Sequence, residues 1–139
     1  MNYLLPAQTL LDMISEGPTP VHTWADGIDT RSLRVSVISI AQARAAIMNV
    51  ADAGERTRLD TDFRALLDQL KADGGAPLPF DESQAAVWEA LMLEPALKGV
   101  TQSDRMVYAT AMAEGLTVVE AARAATPALR KLGVAIVVI

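Results

Sequence analysis

Short β-branched runs alternate with longer segments of helical periodicity along the whole chain, and few architectures accommodate that alternation. Tyr3-Leu4-Leu5, Val35-Ser36-Val37-Ile38-Ser39-Ile40, Leu116-Thr117-Val118-Val119 and the segment from Val134 to Val138 read as strands. Between them, Leu59, Phe63, Leu66, Leu67 and Leu70 recur at helical spacing. Arg56, Asp60, Arg64, Asp68 and Lys71 fall on the opposite side, and Gly74-Gly75 supplies the stop. A second helix begins after Pro79-Phe80, where Asp81 caps and Gln84 stands three residues on, and it carries Val87, Trp88 and Leu91. A third runs from Ser103 to Glu114 and ends at Gly115, the residue that most cheaply adopts a left-handed turn. The order β-α-β-α-α-β-α-β predicts an α/β fold, a three-layer α/β/α sandwich with a mostly parallel sheet and right-handed crossovers.

Residues 1–139 are expected to form a single domain, long enough for one core. With 51% apolar and only 21% charged residues, the chain can bury enough surface to fold. The absence of cysteine excludes disulfides, thiol catalysis and zinc thiolate sites, and it fits a reducing, cytoplasmic setting. Met1 to Pro6 carries no basic segment ahead of an apolar run, so no signal peptide is read there. The longest apolar run, Leu132 to Ile139, is far short of the ~20 residues that span a bilayer, so no membrane partner is expected. A net charge of −5 argues against a broad basic footprint for nucleic acid. Without bridging cations such a surface repels RNA.

In open sheets of this class, ligands collect outside the carboxyl ends of the strands. The rim is then Pro6 to Gln8, Ala41 to Arg44, and Glu120 to Arg123, and Glu120 is its one acidic residue. Asp104, at the start of the helix feeding the last of these loops, reaches the same rim if that helix begins there. Asp104 also reads as a helix-start residue, because Thr101-Gln102-Ser103-Asp104 has the spacing of a capping box. Glu120 has the same structural alternative. Asp12 reads as a solvated charge on the first helix. His22, after Thr19-Pro20-Val21, reads as a loop-to-helix junction. Arg44 and Arg105 are expected to flank the rim, binding an anion or pairing with Asp104 and Glu120. Met92, Met106 and Met112, with Trp88 and Leu93, suit a core or an interface.

In this order and spacing, several pieces together resemble a PIN domain. They are Tyr3-Leu4-Leu5, Ser36 to Ile40 followed by a helix with Arg44, Leu78-Pro79-Phe80-Asp81-Glu82, Asp104 to Ala111, Gly115 to Val119, and Leu132-Gly133-Val134. The resemblance is strongest to the VapC-type ribonuclease toxins of bacterial toxin-antitoxin pairs. It implies an Asp-Thr-Asn after the first strand, a Glu in the helix after the second, an Asp opening a later helix, and a Thr-x-Asn or nearby Asp after a later strand. Those acids hold Mg²⁺ or Mn²⁺ ions that activate water. The matching positions here are Pro6, Ala7 and Gln8, then Gln42, Asp104, and Glu120-Ala121-Ala122, with Ala125 where the last Asp would fall. One acid of the four stands in place. The expectation is therefore a degenerate PIN-domain protein that acts through protein association, as a homodimer and with an antitoxin-like partner. It needs no cofactor, and Asp104 is the one residue left to contact a metal. The alternative is an active Mg²⁺- or Mn²⁺-dependent ribonuclease toxin with a relocated site around Asp104 and Glu120.

Overall fold

Four parallel strands, β1 (Tyr3–Leu4), β2 (Leu33–Arg34), β3 (Thr117–Glu120) and β4 (Ile136–Val138), pair in the order β2-β1-β3-β4 in a computed structural model that describes residues 1–139. Tyr3 stands beside Leu33 on one side and Thr117 on the other, and Val118 stands beside Ile136. Successive strand residues face opposite sides, so Leu4 and Val118 enter one core while Leu5 and Val119 enter the other. These are the two faces of an α/β/α sandwich.

Seven helices cover those faces: α1 (Ala7–Met13), α2 (Pro20–Ala25), α3 (Val37–Met48), α4 (Ala53–Gly74), α5 (Glu82–Met92), α6 (Gln102–Glu114) and α7 (Thr126–Lys131). Leu91 of α5, Val107 and Tyr108 of α6 and Leu129 of α7 fill the first core. Leu10 of α1, Ile47 of α3 and Phe63, Leu67 and Leu70 of α4 fill the second. None of the helices is long and apolar enough to cross a membrane. The expected boundaries hold where local chemistry is strong. Asp81 and Gln84 form a reciprocal capping box on α5, and Gly115 ends α6 at φ 67°. Gly74 is required by close approach, because a Cβ there would collide with the Leu33 carbonyl oxygen of β2.

The expected second strand over Val35 to Ile40 is not formed. β2 ends at Arg34, and Val37 to Ile40 make the first turn of α3. Ser36 caps the helix formed instead: its hydroxyl accepts the Ser39 N–H at 3.0 Å. Ile38 and Ile40 are then partly buried on opposite cores, a packing that a short apolar run serves equally well as strand or helix. Val35 and Val37 still bond to Leu78, extending the sheet edge by one bridge.

His22 lies where expected, at the start of α2. Its Nδ1 accepts the Thr19 N–H at 3.0 Å while Thr19 caps the helix, and Nε2 meets the Met13 carbonyl at 3.1 Å. This histidine ties α2 to the end of α1.

Arg105 is not at the rim. One residue beyond Asp104, its side chain turns about 100° around α6 and enters the protein, where it is 8% exposed. Its guanidinium donates to the carbonyls of Val100 (3.1 Å), Leu91 (2.8 Å), Met92 (3.0 Å) and Leu97 (2.7 Å). These include the carbonyls at the C-terminal end of α5, where a cation also suits the helix dipole. Arg105→Met should therefore destabilise the protein by about 2–4 kcal/mol in urea unfolding, because several buried carbonyls lose their donor at once. Arg105→Lys should recover less than half of that, since an ammonium cannot reproduce the planar fork.

Candidate functional site

The chain leaves β1 toward β2 and leaves β3 toward β4, in opposite directions along the sheet. Between the carboxyl ends of β1 and β3 the connections part, and a crevice opens at this switch point. It is a cleft of about 590 Å³. Pro6 to Asp12 form one wall, held to the sheet by the buried Thr9 hydroxyl, which donates to the Val119 carbonyl at 2.6 Å. Glu120 to Arg123 form another, and α6 and Gln42 of α3 complete it.

Asp104 sits at the centre. Thr101 is the N-cap of α6 and accepts the Asp104 N–H at 3.1 Å, but the carboxylate does not reach back to complete the expected capping box. It points into the cleft. Oδ1 accepts from Gln42 Nε2 at 2.9 Å, and the same amide donates to the Ser103 hydroxyl at 2.9 Å. Oδ2 accepts from Arg123 Nη1 at 3.2 Å, with both side chains 33% exposed.

One helical turn beyond Asp104 stands Tyr108, 2% exposed, with only its hydroxyl end at the cleft. That hydroxyl accepts from Arg123 Nη1 at 3.0 Å and donates to Glu120, lying 3.0 and 2.9 Å from its two oxygens. Burial, then the charge of Glu120 and the bond to it, hold the phenol far above its usual pKa, so it keeps its proton and remains a donor. Burial likewise pushes the Glu120 carboxyl up. Tyr108 and Arg123 pull it down, and Asp104 adds to the rise.

Gln42, Asp104, Arg123, Tyr108 and Glu120 thus form one continuous network. Asp104 and Glu120 are brought together with Pro6, Gln8, Gln42 and Ala122 around the cleft. Ala125 is not among its walls; it begins α7 and packs on the first core. Arg44 lies on another face, exposed beside Met48, Asp60 and Arg64, because two residues along α3 from Gln42 is a rotation of about 200°. Asp12 is a correction in the other direction: it lines the cleft, where Gln8 Nε2 donates to it at 2.9 Å. Tyr108 and Arg123 were the residues whose roles the sequence did not disclose. Tyr108 is four residues from Asp104, the spacing that puts two side chains on one helix face, and that was its only signal.

No three His, Cys, Asp or Glu side chains come together in a way that could hold a metal ion. Divalent cations of the Mg²⁺ kind need several charged oxygens. Here Gln42 presents a neutral amide as a donor, and a guanidinium lies against Asp104. The residues do not fit such an ion.

No family model and no curated protein matches the sequence. Solved structures do. FitAcB from Neisseria gonorrhoeae is similar over 96% of this chain and 95% of that one, at 22% identity and a TM-score of 0.78. DNA-bound VapBC from Salmonella typhimurium is similar over 99% and 97%, at 19% identity and a TM-score of 0.77. VapBC-5 from Mycobacterium tuberculosis, a member of the VapBC family of toxin-antitoxin systems, is similar over 99% and 97%, at 17% identity and a TM-score of 0.68. This is a PIN-like fold. The cleft lies at the β1/β3 switch point of that fold, and its network sets an amide, a phenol and a guanidinium beside Asp104 and Glu120.

A group whose folded-state pKa is raised by burial binds its proton more tightly in the native state. Stability is then lost as pH rises from the ordinary carboxylate range through the raised value. Glu120→Gln removes that loss. Urea unfolding at about pH 4 and about pH 7 should show the variant gaining on the wild type at the higher pH. An equal difference at both would mean that Glu120 titrates normally.

Proposed function

We propose that this chain is a catalytically degenerate, VapC-like PIN-domain protein that acts through protein association, as a cytoplasmic homodimer and with an antitoxin-like partner. The observation that carries the reading is the bond from Gln42 Nε2 to Asp104 Oδ1 at 2.9 Å. Where two carboxylates would share a cation, an amide instead donates a hydrogen to the surviving acid. The donor set then satisfies itself without a metal. The absence of any converging group of three acidic or imidazole side chains agrees, as does the net charge of −5, which disfavours RNA.

The association half of the reading rests on fold and surface. The similar structures include FitAcB and two VapBC complexes, one bound to DNA and one from the VapBC family of toxin-antitoxin systems. Leu93 at the end of α5 is 85% exposed and Met48 at the end of α3 is 68% exposed. Val37 and Val138 are also exposed. They are spread over the two ends of α3, the end of α5 and β4, as single apolar side chains that a protein partner would cover.

Purified protein should leave single-stranded RNA intact in millimolar Mn²⁺, followed on a denaturing gel. Cleavage that vanishes in Asp104→Asn would overturn the reading in favour of a ribonuclease built on Asp104 and Glu120. Light scattering at micromolar concentration should return the mass of a dimer. A monomer mass removes the homodimer from the proposal.

A further inference from the structure

We infer that Arg123 is the built-in cation of the PIN-like cleft, a guanidinium that takes the place of a divalent ion between Asp104 and the Tyr108–Glu120 pair and keeps metal out. The inference rests on the degenerate reading of the site but goes beyond it. Missing carboxylates explain a weak metal site; they do not explain a positive charge placed where the metal charge would act.

A single nitrogen, Nη1, makes both bonds, to Asp104 Oδ2 at 3.2 Å and to the Tyr108 hydroxyl at 3.0 Å. Tyr108 passes the interaction on to both oxygens of Glu120. Asp104 and Glu120 are thereby linked through one guanidinium and one phenol. Arg123 is also held in place from behind: its backbone N–H donates to the Thr126 hydroxyl at 3.0 Å, at the start of α7. An arginine cannot be deprotonated in a protein, so this charge is permanent. A second cation entering the cleft would be repelled by it and would have to displace it from Asp104.

As a stabilising ion pair the contact is worth little, since both partners are a third exposed and solvent screens them. Its consequence for a divalent ion is larger, because an ion of charge two feels the repulsion twice over. Removing Arg123 should therefore raise the affinity of the cleft for a divalent cation, with no acid added.

Mn²⁺ is the probe, with binding read by electron paramagnetic resonance of the free ion and by calorimetry. Arg123→Met, which keeps an unbranched apolar stem and drops the charge, is compared with wild type, and Gln42→Glu/Arg123→Met with Gln42→Glu. In each pair, loss of Arg123 should tighten Mn²⁺ binding by at least about tenfold. Asp104→Asn added to Arg123→Met should abolish the gain, which a purely structural role for Arg123 would not predict. Equal Mn²⁺ affinity within each pair would overturn the inference. If Arg123→Met does not fold, Arg123→Gln replaces it, keeping a donor toward Asp104 and Tyr108. A neutral variant that folds only on adding Mn²⁺ supports the inference, and one that stays unfolded in Mn²⁺ overturns it. RNA cleavage by the wild type, by contrast, sinks the degenerate reading whatever Mn²⁺ does in the variants.

Discussion

Two residues hold this sheet together. Tyr3 and Leu4 pair with Leu33 and Arg34 on one side and with Thr117 and Val118 on the other, so a strand of only two residues is paired on both its edges. Because β1 sits between β2 and β3, the chain must leave its end in one direction and return past it in the other, and the parallel pairing leaves a gap at the carboxyl edge. The cleft follows from strand order. Thr9 then fixes its wall, bonding α1 to the Val119 carbonyl across the gap. Leu4 and Leu5, fully buried in opposite cores, lock that edge in position.

What occupies the cleft is an electrostatic question. A half-buried carboxylate must be compensated, by a cation or by hydrogen-bond donors, or it is driven toward its neutral form. Asp104 is compensated twice, by the Gln42 amide and by Arg123. Glu120 is compensated by Tyr108, and burial still raises its pKa. This internal pairing sets the charges of the cleft against its own side chains. It also makes the network interdependent, since Arg123 and Tyr108 each touch two of its other members.

Adjacent residues of α6 show how strongly rotation about a helix decides a role. Asp104 faces the cleft, while Arg105 faces the interior and binds the carbonyls that end α5 and the turn after it. Buried without a carboxylate, its charge is spread over several carbonyl dipoles, which suits a planar guanidinium and its five donors. Arg105 thereby joins α5 to α6 and sets the position from which Asp104 and Tyr108 project.

The sequence by itself determined the class of fold, a mostly parallel sheet and several helix ends, because caps, glycine stops and periodicity act between neighbours a few residues apart. Asp81 with Gln84, Gly115 and the Leu59 to Leu70 stripe each carry their signal locally. It also determined that Pro6 and Ala122 would follow the ends of strands at the rim, whereas Gln42 reaches the same cleft from within α3. Only the tertiary structure decided whether Val37 to Ile40 would be strand or helix, because that run packs between both cores and its composition suits either. Only the tertiary structure separated Arg123, which enters the network, from Arg44 and Arg105, which leave it. Charge pairing depends on the direction of a side chain in three dimensions, and residues 19 or 62 apart in the chain meet at Asp104 only after the sheet has formed.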